Sequence, residues 1–228
     1  MKIIGLIGGM SWESTIPYYK IINEEIKTKL GGFHSAKIIL YSVDFDEIEK
    51  CQSCGNWEKS AFILGEAAKK LEMSGADFIL VCTNTMHKVY MQIQSMIKIP
   101  VIHIADATAS ELKKRKTFNA GLLGTKYTLT QDFYKQRLIE QGINVIVPDE
   151  EDIEQINNII FHELCIGKIE ECSKKKMLEI MMRLKNKGAD GIILGCTEIG
   201  LLVKQNDFEL PIFDTTEIHA KRAVELAL

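Results

Sequence analysis

The chain has 228 residues, long for one ordinary domain and short for two; 46% are apolar and 26% charged, enough to bury a core without covalent staples. A formal net charge of −3 gives no support to a nucleic-acid binder, and no apolar run approaches the ~18 residues of a membrane span. The apolar N-terminus, with Ser11, Trp12 and Glu13 after it and no small-residue cleavage site, reads as a first strand rather than a signal peptide, which predicts a cytoplasmic protein whose six cysteines are thiols.

Short apolar runs alternate with longer helical stretches. The runs are Ile3 to Ile7, Lys37 to Ser42, Asp77 to Cys82, Val101 to Ile104, Ala120 to Leu123, Asn144 to Val147, Gly191 to Leu194 and Pro211 to Phe213. Most are continuously apolar, as parallel strands covered on both faces are. Ser14 to Leu30, Trp57 to Gly75, Leu129 to Gly142, Ile153 to Gly167 and Ser173 to Gly188 carry apolar residues at spacings of three and four, and a last helix is expected over Thr216 to Leu228. Gly75, Gly142 and Gly188 stand where left-handed helix caps belong. The alternation predicts βαβ units and a doubly wound parallel sheet.

The chain also repeats itself. Gly75-Ala76-Asp77 through Cys82-Thr83 matches Gly188-Ala189-Asp190 through Cys196-Thr197 with one residue inserted. Ile4-Gly5-Leu6-Ile7-Gly8 resembles Ala120 to Gly124, and Ile99-Pro100-Val101 resembles Leu210-Pro211-Ile212. These pairs lie 113, 116 and 111 residues apart, too far for a solenoid. The reading is a duplicated α/β protein, two similar halves related by a pseudo-two-fold axis. The first half is 1–105, with 209–228 packing back on it, and the second is 106–208, with the active site in the cleft between them.

Ligands of open parallel sheets bind beyond the carboxyl ends of the strands. Cys82 and Cys196 sit at two such ends, in equivalent places, each followed by Thr and a polar residue. A lone Cys at a strand end is ordinarily a small packing residue; a matched pair beside hydroxyl groups points to chemistry. Helices starting just after each motif would offer N–H groups to a carboxylate and lower the thiol pKa toward neutrality. Two opposed thiols with a carboxylate between them suit inversion of an amino acid's α-carbon. One takes the α-proton and the other returns a proton to the opposite face, with neither metal nor pyridoxal phosphate required. Glu198 beside Cys196 is placed to accept its proton or to orient an ammonium group.

At these residues the sequence resembles the aspartate/glutamate racemase family, through Gly8-Gly9-Met10, Cys82-Thr83-Asn84-Thr85 and Gly195-Cys196-Thr197-Glu198. Ser11-Trp12-Glu13-Ser14-Thr15, Met86-His87-Lys88 and Gln131-Asp132-Phe133-Tyr134 further resemble a bacterial subgroup of broad-specificity amino-acid racemases. The resemblance implies a cofactor-independent homodimer acting on a small amino acid, with Cys82 and Cys196 as the acid/base pair and Thr83 a contender on the first side. It implies that Thr83, Asn84, Thr85 and Thr197 hold the α-carboxylate and amine, and that Met10 lines the floor near the α-carbon. Gln52, in the loop after the second strand, and Lys168, in a loop of the second half, are further substrate contacts. Aspartate-specific members grip the distal carboxylate with an Arg and a Lys; those positions fall near Glu49 and at Cys165 here, which puts strict aspartate specificity in question.

Other motifs are weaker. Cys51-x-x-Cys54 lacks a second pair at metal-ligand spacing, and Gly5-x-x-Gly8-Gly9 has the wrong spacing for a dinucleotide fingerprint. Lys113 to Lys116 and Lys174 to Lys176 read as solvated faces. His87 and His103 are placed to tune Cys82, although such histidines more often satisfy local hydrogen bonds. The rival readings are a cysteine-dependent isomerase or decarboxylase of a small dicarboxylic acid, and an amino-acid-binding protein without turnover.

Overall fold

A computed structural model describes residues 1–228. The eight expected strands are all present. β1 (Ile4–Gly8), β2 (Ile38–Ser42), β3 (Phe78–Val81) and β4 (Val101–Ile102) form one parallel sheet in the order β2-β1-β3-β4. β5 (Asn119–Leu123), β6 (Asn144–Ile146), β7 (Gly191–Leu194) and β8 (Ile212–Asp214) form another in the order β6-β5-β7-β8, so the two sheets share one topology. Every residue of the inner strands β1, β3 and β7 is buried, which is why their sequences run apolar without alternation.

The first sheet is wrapped by α1 (Trp12–Leu30), α2 (Phe45–Ser53), α3 (Trp57–Met73), a 3-10 turn at Thr85–Val89 and α4 (Tyr90–Ser95). The second unit carries α5 (Ile104–Lys114), α6 (Lys126–Thr130), α7 (Asp132–Ile139), α8 (Glu150–His162), a 3-10 turn at Leu164–Ile166, α9 (Glu171–Asn186), α10 (Ile199–Leu202) and a 3-10 turn at Gln205–Asp207, and the last helix, α11 (Thr215–Ala227), runs from it into the first unit. Ser11 caps α1 by accepting from the Ser14 amide, and Asn56 caps α3 through Lys59. Gly75, Gly142 and Gly188 take the positive φ their places require. No helix is long and apolar enough to cross a membrane.

Two local expectations need correction. The segment after β2 is a helix, α2, capped by the Asp44 carboxylate on the Asp46 amide, so Gln52 lies on a helix and not in a loop. The stretch read as one helix from Leu129 to Gly142 is two, because Gln131 is extended (φ −99°, ψ 159°), ending α6 and starting α7.

The duplication extends to polar staples. Asp77 accepts from the Ile3 amide at the start of β1, and Asp190 accepts from the Phe118 and Asn119 amides at the start of β5. Gln94 accepts from Val101 N–H and donates to Ile99 C=O; Gln205 does the same for Ile212 and Leu210. These pairs sit at equivalent places in the two halves and satisfy backbone groups at strand entries, where the ladder leaves them unpaired.

The chain divides into Met1–Ile104 with His219–Leu228, and Ala105–Ile218. Residues 209–218, placed with the first half from sequence, fall in the second, because β8 pairs with β7 along Ile192↔Ile212 to Leu194↔Asp214. Only the part of α11 from His219 onward joins the first unit, where Ala220, Ala223, Val224 and Ala227 pack with Tyr18, Ile22 and Ile26 of α1.

Candidate active site

In the first unit the candidate residues converge beyond the carboxyl ends of β1 and β3. Gly8 and Gly9 end β1, and Gly9 has φ +89° with its Cα so close to β2 that a Cβ would stand 2.8 Å from the Val43 nitrogen. Only glycine tolerates both conditions. The Gly9 amide donates to Thr15 Oγ1 at 2.9 Å, and that hydroxyl donates to the Ser11 carbonyl at 2.8 Å. Met10 is thereby held in the apolar cluster that also contains Val81, Met86 and Ile48. Gln52, from α2, donates through Nε2 to the Met86 sulfur at 3.0 Å. Met10, Gln52 and the Thr83–Met86 turn therefore share one locale.

Cys82 and Thr83 have different surroundings. Strand parity sends Phe78, Leu80 and Cys82 to one side, into a cluster with Leu6, Tyr18 and Ile22. Cys82 has no solvent exposure, and burial pushes its thiol far above the usual range. Thr83 is 8% exposed, the most accessible of the Cys82–Thr85 run; its amide donates to the Val81 carbonyl at 2.9 Å in a tight turn. Asn84 and Thr85 are buried beside it.

In the second unit β7 ends at Leu194, and the Gly195 amide extends the ladder onto the Leu123 carbonyl at 2.7 Å. A Cβ at Gly195 would lie 2.6 Å from that same carbonyl oxygen, so the close approach itself demands glycine. The turn then presents three buried polar side chains on one atom: Cys196 Sγ and Thr197 Oγ1 each donate to Glu198 Oε2, both at 2.9 Å. Burial first, then the Glu198 charge and the Cys165 thiol, raise the Cys196 thiol well above its ordinary value. Its resting form near neutrality is the thiol, with a carboxylate oxygen already in position to take the proton.

Neither cysteine has the lowered pKa expected from a helix N-terminus. The elements after the motifs are a five-residue 3-10 turn and the four-residue α10, too short to build a useful dipole, while both thiols are buried. Lys168 is exposed, in the turn after Leu164–Ile166, its amide bonded to the Glu163 carbonyl at 2.9 Å. The Leu164–Ile166 turn packs on α10, which places Cys165 near Cys196 while the Lys168 side chain stays in solvent. Cys51 and Cys54 are free thiols at the end of α2; Cys54 donates weakly to the Cys51 carbonyl.

Sequence reasoning missed one feature of the first unit. His87, His103 and His219 are all buried and lie together, with ring centroids of His87 and His103 4.6 Å apart and of His87 and His219 5.9 Å apart. His219 comes from the far end of the chain, so no local motif announces it.

A duplicated doubly wound α/β protein, with a buried thiol hydrogen-bonded to a carboxylate at the carboxyl end of a sheet, is the class these features define. Residues 7–223 match the profile of the Asp/Glu/hydantoin racemase family, and the chain belongs to that family. It is 26% identical to the broad-specificity amino-acid racemase RacX of Bacillus subtilis (strain 168), over 99% of this chain and 98% of that protein. Among solved structures, a candidate Asp/Glu racemase from Yersinia pestis is 54% identical with a TM-score of 0.92, covering 100% of this chain and 99% of that one. An aspartate racemase homologue from Pyrococcus horikoshii OT3 is 41% identical with a TM-score of 0.86, covering 100% and 99%. These relatives are racemases or racemase homologues by name, and racemases are isomerases.

Proposed function

We propose that this chain inverts the α-carbon of a small amino acid by two-base proton transfer, each unit supplying one group. The observation that carries the reading is the pair of 2.9 Å hydrogen bonds that Cys196 and Thr197 donate to one buried Glu198 oxygen. When the substrate ammonium arrives, its charge offsets the burial that holds Cys196 as a thiol; Glu198 takes the proton and the thiolate removes the α-proton. A group of the first unit then protonates the other face of the carbanion. Burial supports Thr83 in that role over Cys82, because the Cys82 sulfur lies among apolar side chains with no exposure, whereas Thr83 is as accessible as Cys196. The peptide N–H groups and polar side chains of Thr83, Asn84, Thr85 and Thr197 hold the α-carboxylate and amine, and Met10 and Gln52 bound the side chain. The scheme uses side-chain acids and bases alone, so it requires no cofactor.

Relatives named for broad specificity and for aspartate make aspartate, glutamate and small neutral amino acids the first substrates to screen. The test is incubation of single enantiomers in heavy water, following α-deuterium by NMR and optical rotation. Exchange with inversion is expected for at least one amino acid, and Cys196→Ala abolishes it. Absence of exchange from every amino acid tried, or full inversion by Cys196→Ala, refutes the reading; saturable binding without exchange would instead select a binding protein.

A further inference from the structure

His87 takes no part in the acid/base scheme, yet its ring ties together two separate stretches of backbone. Its Nδ1 lies 2.8 Å from the Thr83 carbonyl oxygen and its Nε2 3.2 Å from the Ile104 nitrogen. A backbone amide only donates, so Nε2 accepts from Ile104 and the ring proton resides on Nδ1, which donates to Thr83. One neutral tautomer satisfies both bonds. The partner at Ile104 is itself fixed. Two residues earlier the Ile102 carbonyl accepts from His219 Nε2 at 2.9 Å, and the Tyr18 hydroxyl donates to His219 Nδ1 at 3.0 Å. Burial pushes His219 down to about 3, so that ring is neutral as this pattern requires.

The consequence for Thr83 follows from peptide geometry. The Thr83 carbonyl and the Asn84 N–H belong to one trans peptide unit and point in opposite directions. The Thr83 amide is already committed to Val81, and the His87 amide donates to the Asn84 carbonyl at 3.1 Å. Clamping the Thr83 carbonyl from one side sets the rotation of that peptide plane, and so aims the Asn84 N–H and the Thr83 Cα–Cβ bond.

We infer that His87 is a positioning residue, whose Nδ1–H bond to the Thr83 carbonyl orients the Thr83–Asn84 peptide for proton transfer and carboxylate binding. The inference rests on the reading that the Thr83 segment takes part in the inversion. Two substitutions separate the two bonds. His87→Asn keeps an amide donor near the Nδ1 position and drops the acceptor for Ile104. His87→Gln places its amide near Nε2, keeps a partner for Ile104 and drops the donor to Thr83. With a substrate on which the wild type shows α-deuterium exchange, His87→Asn is expected to retain kcat at least tenfold above His87→Gln. KM is expected to rise in the Gln variant as the carboxylate site loosens. Thermal melting and the rate of Cys196 alkylation by iodoacetamide should be similar in the two proteins. A kcat ratio near one, or one that follows the order of melting temperatures, overturns the assignment, because a merely structural histidine would act through stability. A wild type that exchanges nothing would instead sink the racemase reading, and the two failures are distinct. If the Gln variant does not fold, Thr83→Ser with and without His87→Ala, which removes the donor to the Thr83 carbonyl, carries the test. Non-additive loss of kcat in the double variant supports the clamp, and additive loss overturns it.

Discussion

Glu198→Gln is the most discriminating perturbation of the proposed site, because it moves two observables in opposite directions. The carboxylate is almost fully buried, and its Oε2 accepts from Cys196 and Thr197 at 2.9 Å each. Glutamine preserves the shape and one acceptor oxygen but removes the charge and the proton acceptor. General acid–base groups contribute about 10²- to 10⁴-fold to a rate, so kcat with either enantiomer is expected to fall by that factor, on the order of 3–5 kcal/mol of barrier. The Cys196 thiol is raised by burial first and by the Glu198 charge second, and the hydrogen bond adds to the same direction. Without the charge the thiol titrates lower, so at pH 8 iodoacetamide alkylates Cys196 faster in the variant than in the wild type. Turnover is read by polarimetry and alkylation by mass spectrometry of the Cys196 peptide. Unchanged turnover refutes Glu198 as the proton acceptor. Turnover and alkylation that fall together refute the electrostatic argument, and an unchanged melting temperature separates a lowered thiol pKa from a merely loosened, more accessible Cys196.

Further outcomes follow from particular contacts. His219 has its pKa pushed down from 6.5 to about 3 by burial first and by His87 second. The unfolded chain therefore binds a proton below about pH 6.5 that the folded chain refuses until about 3, so stability falls with pH across that window, by up to ~4–5 kcal/mol. Urea midpoints between pH 7 and 4 should show the decline, and His219→Gln should flatten it; an unchanged slope refutes the assignment. Gly9→Ala forces a residue with φ +89° to carry a Cβ 2.8 Å from the Val43 nitrogen, and is expected to cost at least ~2 kcal/mol in urea denaturation. Cys82→Ala leaves inversion measurable and lowers stability by about 1–2 kcal/mol, as for removal of a small buried group, whereas Thr83→Ala lowers inversion at least tenfold with little change in melting. The reverse ranking would return the role to Cys82.

The eight strands were legible because each is a short continuous apolar run flanked by helical periodicity, and β1, β3 and β7 are buried on both faces as such runs require. The duplication was legible as matched motifs, and its physical content is the shared role of Asp77 with Asp190 and of Gln94 with Gln205 at strand entries. What escaped sequence reasoning was local or long-range. Helix α2 is short and rich in charge, with its apolar side reduced to Phe45, Ile48 and Cys51, so its periodicity is thin. The lowered thiol pKa was inferred from position, but burial dominates, and burial depends on neighbours from other elements. The histidine cluster joins residues up to 132 positions apart in the sequence and has no motif.

Equal folds in the two halves do not produce equal chemistry. The expected match of Cys82 with Cys196 does not hold in the ladders: the Cys82 amide bonds the Ile7 carbonyl as the Gly195 amide bonds the Leu123 carbonyl, so the residue equivalent to Cys196 is Thr83, while Cys82 sits in an apolar cluster and Cys196 donates to a buried carboxylate. Racemisation tolerates this inequality. The two enantiomers have the same free energy, so the equilibrium constant is one and kcat/KM must be equal in the two directions whatever groups stand on each side. A stronger base on the Cys196 side can therefore show only in the separate values of kcat and KM, and in partial reactions. Thr83→Ala is the case that exposes it. With the Cys196–Glu198 group intact, the enantiomer whose α-hydrogen faces the thiolate should still exchange that hydrogen for deuterium, with retention of configuration, while its mirror image should exchange far more slowly. Equal exchange of both enantiomers by Thr83→Ala would mean that a second base remains on the first side, and Cys82, buried as it is, would be the group to supply it.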